Sequence, residues 1–290
     1  MRSAMACTLL CILVVVGAQA QDRDEDQAAV TQLVHQVVVA CNAKDATALE
    51  SLMIEGAVFA MDAFGEAVVL DRDGLISGPQ GLAAMPGAVL KEEVNEVDVA
   101  SNVAFVRAQI EAGGLGSALA LCAAVKLDGA WKLAAAVALP GGTINDELPE
   151  SLADIVADIQ GEGETGMQAA LQYLRKEGCL AILGLPEIAM VMVGPENIRQ
   201  TVNGWDAPTS VALEGKPEAR VAGSVAVATF DSVVGTPATK LSLRNAVAFV
   251  KQGTRWAVLC FAAAAKSVEP VAPAGQPPQP AAQPVALTTH

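Results

Sequence analysis

The sequence predicts an α+β fold built twice, with helices first and a long antiparallel meander after them in each half. Two observations carry this. Each half opens with helical periodicity and closes with strand-like runs, rather than alternating strand and helix. Two short patterns also recur in the same order. VASNVAFV (residues 99–106) returns as VAGSVAVA (221–228), offset by 122, and VKLDGAW (125–131) returns as VKQGTRW (250–256), offset by 125. Shared order is the mark of an internal repeat, and the three-residue discrepancy falls in the hairpin between the blocks, where an insertion costs little.

Taken in order, residues 1–20 read as a signal peptide. Arg2 gives a positive start, Leu9–Val16 is an apolar run too short to span a bilayer comfortably, and Ala18-Gln19-Ala20 fits the small-x-small cleavage rule. This predicts an exported protein, secreted or periplasmic, with no membrane span in its mature form. From Asp26, Val30, Leu33, Val34, Val37, Val38 and Cys41 fall on one helical stripe. Asp45 caps a second helix over Ala46–Met53. Short strands follow at Ala57–Met61 and Ala67–Leu70, then a turn at Asp71–Gly74. Longer strands are expected at Glu92–Ala100, at Val103–Glu111 and in the hairpin Ala118–Leu139.

Pro140-Gly141-Gly142-Thr143 marks the boundary, giving one domain over 21–143 and a second over 144–266. The second half predicts helices at Ser151–Ile159, Met167–Lys176 and Pro195–Val202. Its strands are expected at Cys179–Leu183, Ile188–Val193, Thr209–Glu214, Val221–Asp231, Leu241–Lys251 and Trp256–Ala265. Residues 267–290 are rich in Pro, Ala and Gln and are expected to be a disordered tail.

Composition narrows the function. Of 290 residues, 18 are basic and 32 acidic, a net charge of −14 that disfavours nucleic acid and anionic membranes as partners. Aromatic residues make up 3%, too few for stacking platforms. Beyond Cys7 and Cys11 in the leader, the cysteines are Cys41, Cys122, Cys179 and Cys260. Their spacing permits disulfides, but the repeat offsets make Cys122 and Cys260 non-equivalent, and buried free thiols are favoured. No CxxC, HExxH, GxSxG or phosphate-loop motif is present, so neither a metal nor a cofactor is expected.

Each half resembles the nuclear-transport-factor-two-like cone fold, in its SnoaL-like and ketosteroid-isomerase-like branch. The resemblance lies in HQVVVACNAKDATALESLM with SNVAFVRAQI and ALALCAAVKLDGAWKLAAAVAL. In the second half it lies in EIAMVMVGPENIRQTV with RVAGSVAVATF and NAVAFVKQGTRWAVLCF. It implies two cone-shaped domains, each a curved antiparallel sheet packed on N-terminal helices, with a pocket between sheet and helices and pairing through the sheets. The residues support such pairing independently. ALALCAA, LAAAVAL and WAVLCFAAAA are apolar on both faces, so one face needs a partner beyond its own helices. The other half of the chain is the simplest partner, giving an internal pseudo-dimer. Hiding about 500 Å² of apolar surface per sheet would favour docking by roughly 12 kcal/mol before entropy.

Candidate site residues are few. His35 lies beside the stripe of the first helix. Period-two alternation puts Val103, Phe105, Arg107, Gln109 and Glu111 on one strand face, where Arg107 can bind an anion or pair with Glu111. Arg244 holds a similar place in the second half. These four, His35, Arg107, Glu111 and Arg244, are the expected ligand-binding residues. The isomerase pattern of Tyr with two carboxylates does not map onto this chain, whose one Tyr, Tyr173, lies on a predicted helix. The leading reading is an exported, non-catalytic protein that binds a small apolar molecule or a protein partner. An isomerase, dehydratase or cyclase with one active cone, and a self-associating envelope protein, are the alternatives.

Overall fold

The structure, a computed structural model, describes residues 2–63, 65–78, 81, 89–113, 116–141, 149–159, 171–203, 210–235 and 239–270, with side chains from Asp22 onward except at 210 and 211. The first domain holds α1 (Arg2–Ala43), α2 (Ala46–Leu52), β1 (Met53–Ala63), β2 (Glu66–Asp71), α3 (Arg72–Ser77), β3 (Leu90–Ala100), β4 (Val103–Ala112), β5 (Gly116–Leu127) and β6 (Ala130–Pro140). The second holds α4 (Glu150–Ile159), β7 (Leu180–Gly184), β8 (Ala189–Val193), α5 (Pro195–Asn203), β9 (Ser210–Ala222), β10 (Val225–Gly235), β11 (Thr239–Gln252) and β12 (Arg255–Pro270).

The sheets run β2-β1-β6-β5-β4-β3 and β8-β7-β12-β11-β10-β9, the same order twice. Both repeated motifs are strand–turn–strand corners. Ser101-Asn102 joins β3 to β4 and Gly223-Ser224 joins β9 to β10, with Ser101 (φ 51°) and Gly223 (φ 59°) both left-handed. Val103 pairs with Val125 as Val225 pairs with Val250. The predicted three-residue insertion is a lengthened hairpin. β4 and β5 have 10 and 12 residues, whereas β10 and β11 have 11 and 14.

Several expectations need correction. Each sheet is mixed rather than wholly antiparallel, because β1 runs parallel to β6 and β7 parallel to β12. Periodicity within a strand carries no information about its direction relative to a distant partner. The counterpart of β1 is β7 and that of β2 is β8. β9 is one bulged strand over the region expected to hold an end and a beginning, and β12 continues to Pro270. Asp71 opens α3 by accepting from the Gly74 N–H at 2.7 Å. Most of the helix expected at Met167–Lys176 and residues 271–290 of the tail lie outside the described residues.

In the first domain the predicted stripe of α1 is the buried one: Val30, Leu33 and Val34 pack on the sheet with Leu49 and Met53, and Val38 is buried too. Polar groups fix its course. Arg23 pairs with Asp98 at 3.1 Å, Gln27 donates to the Val97 carbonyl, and the Asn42 amide pairs with the Leu90 backbone. Asp26 accepts from Lys126 Nζ at 2.7 Å and from Trp131 Nε1 at 2.9 Å, tying the helix to the β5–β6 hairpin. In the second domain Leu152, Ile155, Val156 and Ile159 of α4 share a core with Phe249, Trp256 and Val258. Among the described residues no helix is long and apolar enough to cross a membrane.

Candidate functional site

The two sheets face each other. Val103, Val106, Ala123 and Val137 of the first share one apolar cluster with Val227, Ala248, Cys260 and Ala262 of the second. The β3–β4 corner and its counterpart each reach into the other domain. Ser101 Oγ donates to the Ala265 carbonyl at 2.6 Å and Asn102 Nδ2 to the Leu185 carbonyl at 3.1 Å. In return, Asp62 Oδ2 accepts from the Ser224 N–H at 2.7 Å and the Ser224 hydroxyl at 2.6 Å. Burial pushes the Asp62 carboxyl up, but the Ser224 hydroxyl and N–H and the Gly65 N–H outweigh it and hold it below its usual value. Gly184 passes so close to Val103 that a Cβ there would lie 2.7 Å from Val103 Cγ2.

Between the sheets lies a cavity of about 320 Å³. The repeat makes its walls pseudo-symmetric. Leu121 and Ala246, Ala123 and Ala248, Ala135 and Cys260, and Val137 and Ala262 are matched positions on the two sides, and Glu96 is matched by Glu218. Three matches break the symmetry. Arg107 is matched by Thr229, Asp98 by Arg220, and Leu119 by Arg244. The lining positions of β5, β6, β10 and β12 are therefore uncharged, and the charges lie on β3, β4, β9 and, through Arg244, β11.

That charge is unevenly committed. Arg244 lies between Asp231 (3.2 Å) and Asp98 (3.6 Å), Asp98 is also held by Arg23, and Asp231 by Lys266 at 3.0 Å. The resulting chain of alternating charges runs from α1 into the second domain. Cys122 and Cys260 both open on the cavity as free thiols. Burial pushes each up to about 12, with the neighbouring Cys179 adding to the rise at Cys260. They are poor nucleophiles in this state.

Of the residues expected to bind a ligand, Arg107 and Arg244 line the cavity. His35 does not; its Nδ1 lies 2.5 Å from Glu92 Oε1 on the outer side of α1. Glu111 lies at the far end of β4, in register with Lys91 and Ser117, and is not among the lining residues. Tyr173 donates to Asp158, away from the cavity. Glu96, Glu218, Cys122 and Cys260 were not anticipated. The two repeat offsets, applied along β3 to β6, would have paired most of the lining positions. Among the described residues no group of three or more His, Cys, Asp or Glu is placed to hold a metal ion.

No protein-family model matches the chain, and a search of curated proteins found no relative. Solved structures do resemble it. An NTF-2 like protein of unknown function from Silicibacter pomeroyi is 21% identical, with a TM-score of 0.35 over 40% of this chain and 95% of that one. An NTF2-like protein from Cytophaga hutchinsonii is 14% identical, with a TM-score of 0.31 over 38% and 93%. A ketosteroid isomerase-like protein from Erwinia carotovora atroseptica is 18% identical, with a TM-score of 0.32 over 39% and 95%. The chain is similar to nuclear-transport-factor-two-like and ketosteroid-isomerase-like proteins, each match covering about 40% of it, and its two sheets repeat one strand order.

Proposed function

We propose that this chain is an exported, non-catalytic carrier that holds a small, mainly apolar molecule between its two sheets. The cavity of about 320 Å³ carries this reading. It falls within the size range of small-molecule sites, and apolar side chains of both sheets share its walls with charged groups from both domains. Its groups also suit holding better than chemistry. The two thiols are pushed up to about 12, and His35 and Tyr173 lie elsewhere.

Titration with the neutral fluorophore N-phenyl-1-naphthylamine tests the reading. The native protein should bind it saturably, one per chain. Ala246→Trp, which places an indole in the cavity, should abolish binding while leaving the circular dichroism spectrum unchanged. No saturable signal with the native protein, or equal binding by the folded variant, would overturn the proposal. Export is checked by the mass of protein recovered from its own cells, which should begin at Gln21.

A further inference from the structure

We infer that the molecule held in the cavity is a medium-chain monocarboxylate, its head at Arg107 and its chain along the apolar walls. This rests on the cavity being a binding site and adds what the site selects. Arg107 lines the cavity, is exposed, and makes no ion pair among the described residues, although Glu96 stands opposite it in register. The other lining cations are committed. Arg244 is gripped by Asp98 and Asp231, and Arg220 donates to the Ala219 carbonyl. The position matched to Arg107 in the second domain is Thr229, so the cavity presents this cation on one side only.

The surrounding carboxylates decide how much negative charge is welcome. Glu96 and Glu218 are exposed lining residues and neither makes an ion pair among the described residues. A singly charged head can take a forked pair of hydrogen bonds from the guanidinium and adds the least negative charge beside the glutamates. A phosphate, with a second negative charge, would meet repulsion from the two glutamates, so a carboxylate is preferred. Phe105, Leu121, Val137, Val227 and Ala248 offer apolar contact for the chain. The volume suits about a dozen non-hydrogen atoms.

Calorimetry on the full chain with decanoate, decanol and decyl phosphate separates the parts of this inference. The native protein should bind decanoate at least tenfold more tightly than decanol and than decyl phosphate. Arg107→Thr, which copies the matched position of the second domain, should erase the preference over decanol. Arg107→Lys should restore part of it. Equal binding of decanoate and decanol by the native protein would overturn the inference and leave the carrier reading standing, as would an intact preference in Arg107→Thr. Binding of decyl phosphate as tightly as decanoate would overturn the carboxylate assignment. Binding of none of the three, together with failure of the neutral fluorophore, would overturn both readings.

Discussion

Replacing Asp62 by Ala should loosen the joint between the domains, and the structure sets the size of the effect. The carboxylate accepts two hydrogen bonds from Ser224 across the interface, at 2.7 and 2.6 Å, and one from the Gly65 N–H at 3.0 Å. Ser224 is 2% exposed, so its N–H would be left without water or a partner. Hydrogen bonds to a charged acceptor are worth about 1.5–3 kcal/mol each, and an orphaned buried donor costs about 1–3 kcal/mol. Water can serve Gly65 at its exposed turn, so the expected loss is about 3 kcal/mol, read from the midpoint and slope of urea unfolding. Ser224→Ala keeps the backbone bond and should lose about half as much, roughly 1.5 kcal/mol. The double variant should be less destabilised than the sum. The pH dependence has a definite sign. Because the folded carboxyl titrates below its ordinary value, its contribution is complete above the unfolded value near 4 and disappears as pH falls through the folded value. Asp62→Asn should lack that acid-limb loss. A destabilisation under about 0.5 kcal/mol for Asp62→Ala, the range of an ordinary surface change, would refute the assignment of Asp62 as an interdomain latch.

Two further outcomes are expected. Gly184→Ala should cost about 1–3 kcal/mol in urea unfolding, since the new methyl meets a fully buried Val103 that has nowhere to move; Val103→Ala in the same chain should recover part of that loss. Cys122 and Cys260 should resist iodoacetamide at pH 8 in the folded protein, because a thiol near 12 carries about a thousandfold less thiolate than a free one. Mass mapping should show both labelled only after denaturation or above about pH 11, and ordinary labelling rates in the native protein would contradict their burial.

The two corners that join the domains were legible in the sequence because they combine a left-handed turn position with flanking alternation, and both survive in the repeat. VASNVAFV and VAGSVAVA became Ser101-Asn102 and Gly223-Ser224, and VKLDGAW became a turn with Asp128 and Gly129 both at positive φ. That conformation is the one tight hairpins require, which is why the sequence announces it. The helix over Ala46–Leu52 was legible for a similar reason, with Asp45 accepting from the Ala48 N–H at 3.0 Å. Strand direction was not legible. Nothing local to Ala57–Met61 says that β1 will lie parallel to β6, because that pairing is fixed by how the chain crosses the sheet.

The site was half legible. Arg107 and Arg244 stood out as charges within otherwise apolar meander strands, and both line the cavity. His35 and Glu111 stood out for the same kind of reason, yet they point to other places, because period alone assigns a face without saying how far along the strand the cavity reaches. The pocket was sought inside a cone, between sheet and helix. It lies instead between the sheets, formed by residues more than 100 positions apart, such as Arg107 and Arg244.

The matched but unequal walls of the cavity have a consequence for how such a site can arise. Two identical subunits meeting about a two-fold axis must put the same side chain on both sides, so an Arg on one wall would face another Arg. Joining the halves in one chain removes that constraint. Thr229 can answer Arg107, and Arg220 can answer Asp98, without either change being copied across the axis. Fusion also frees the cavity from mass action, since its two walls travel together at any dilution.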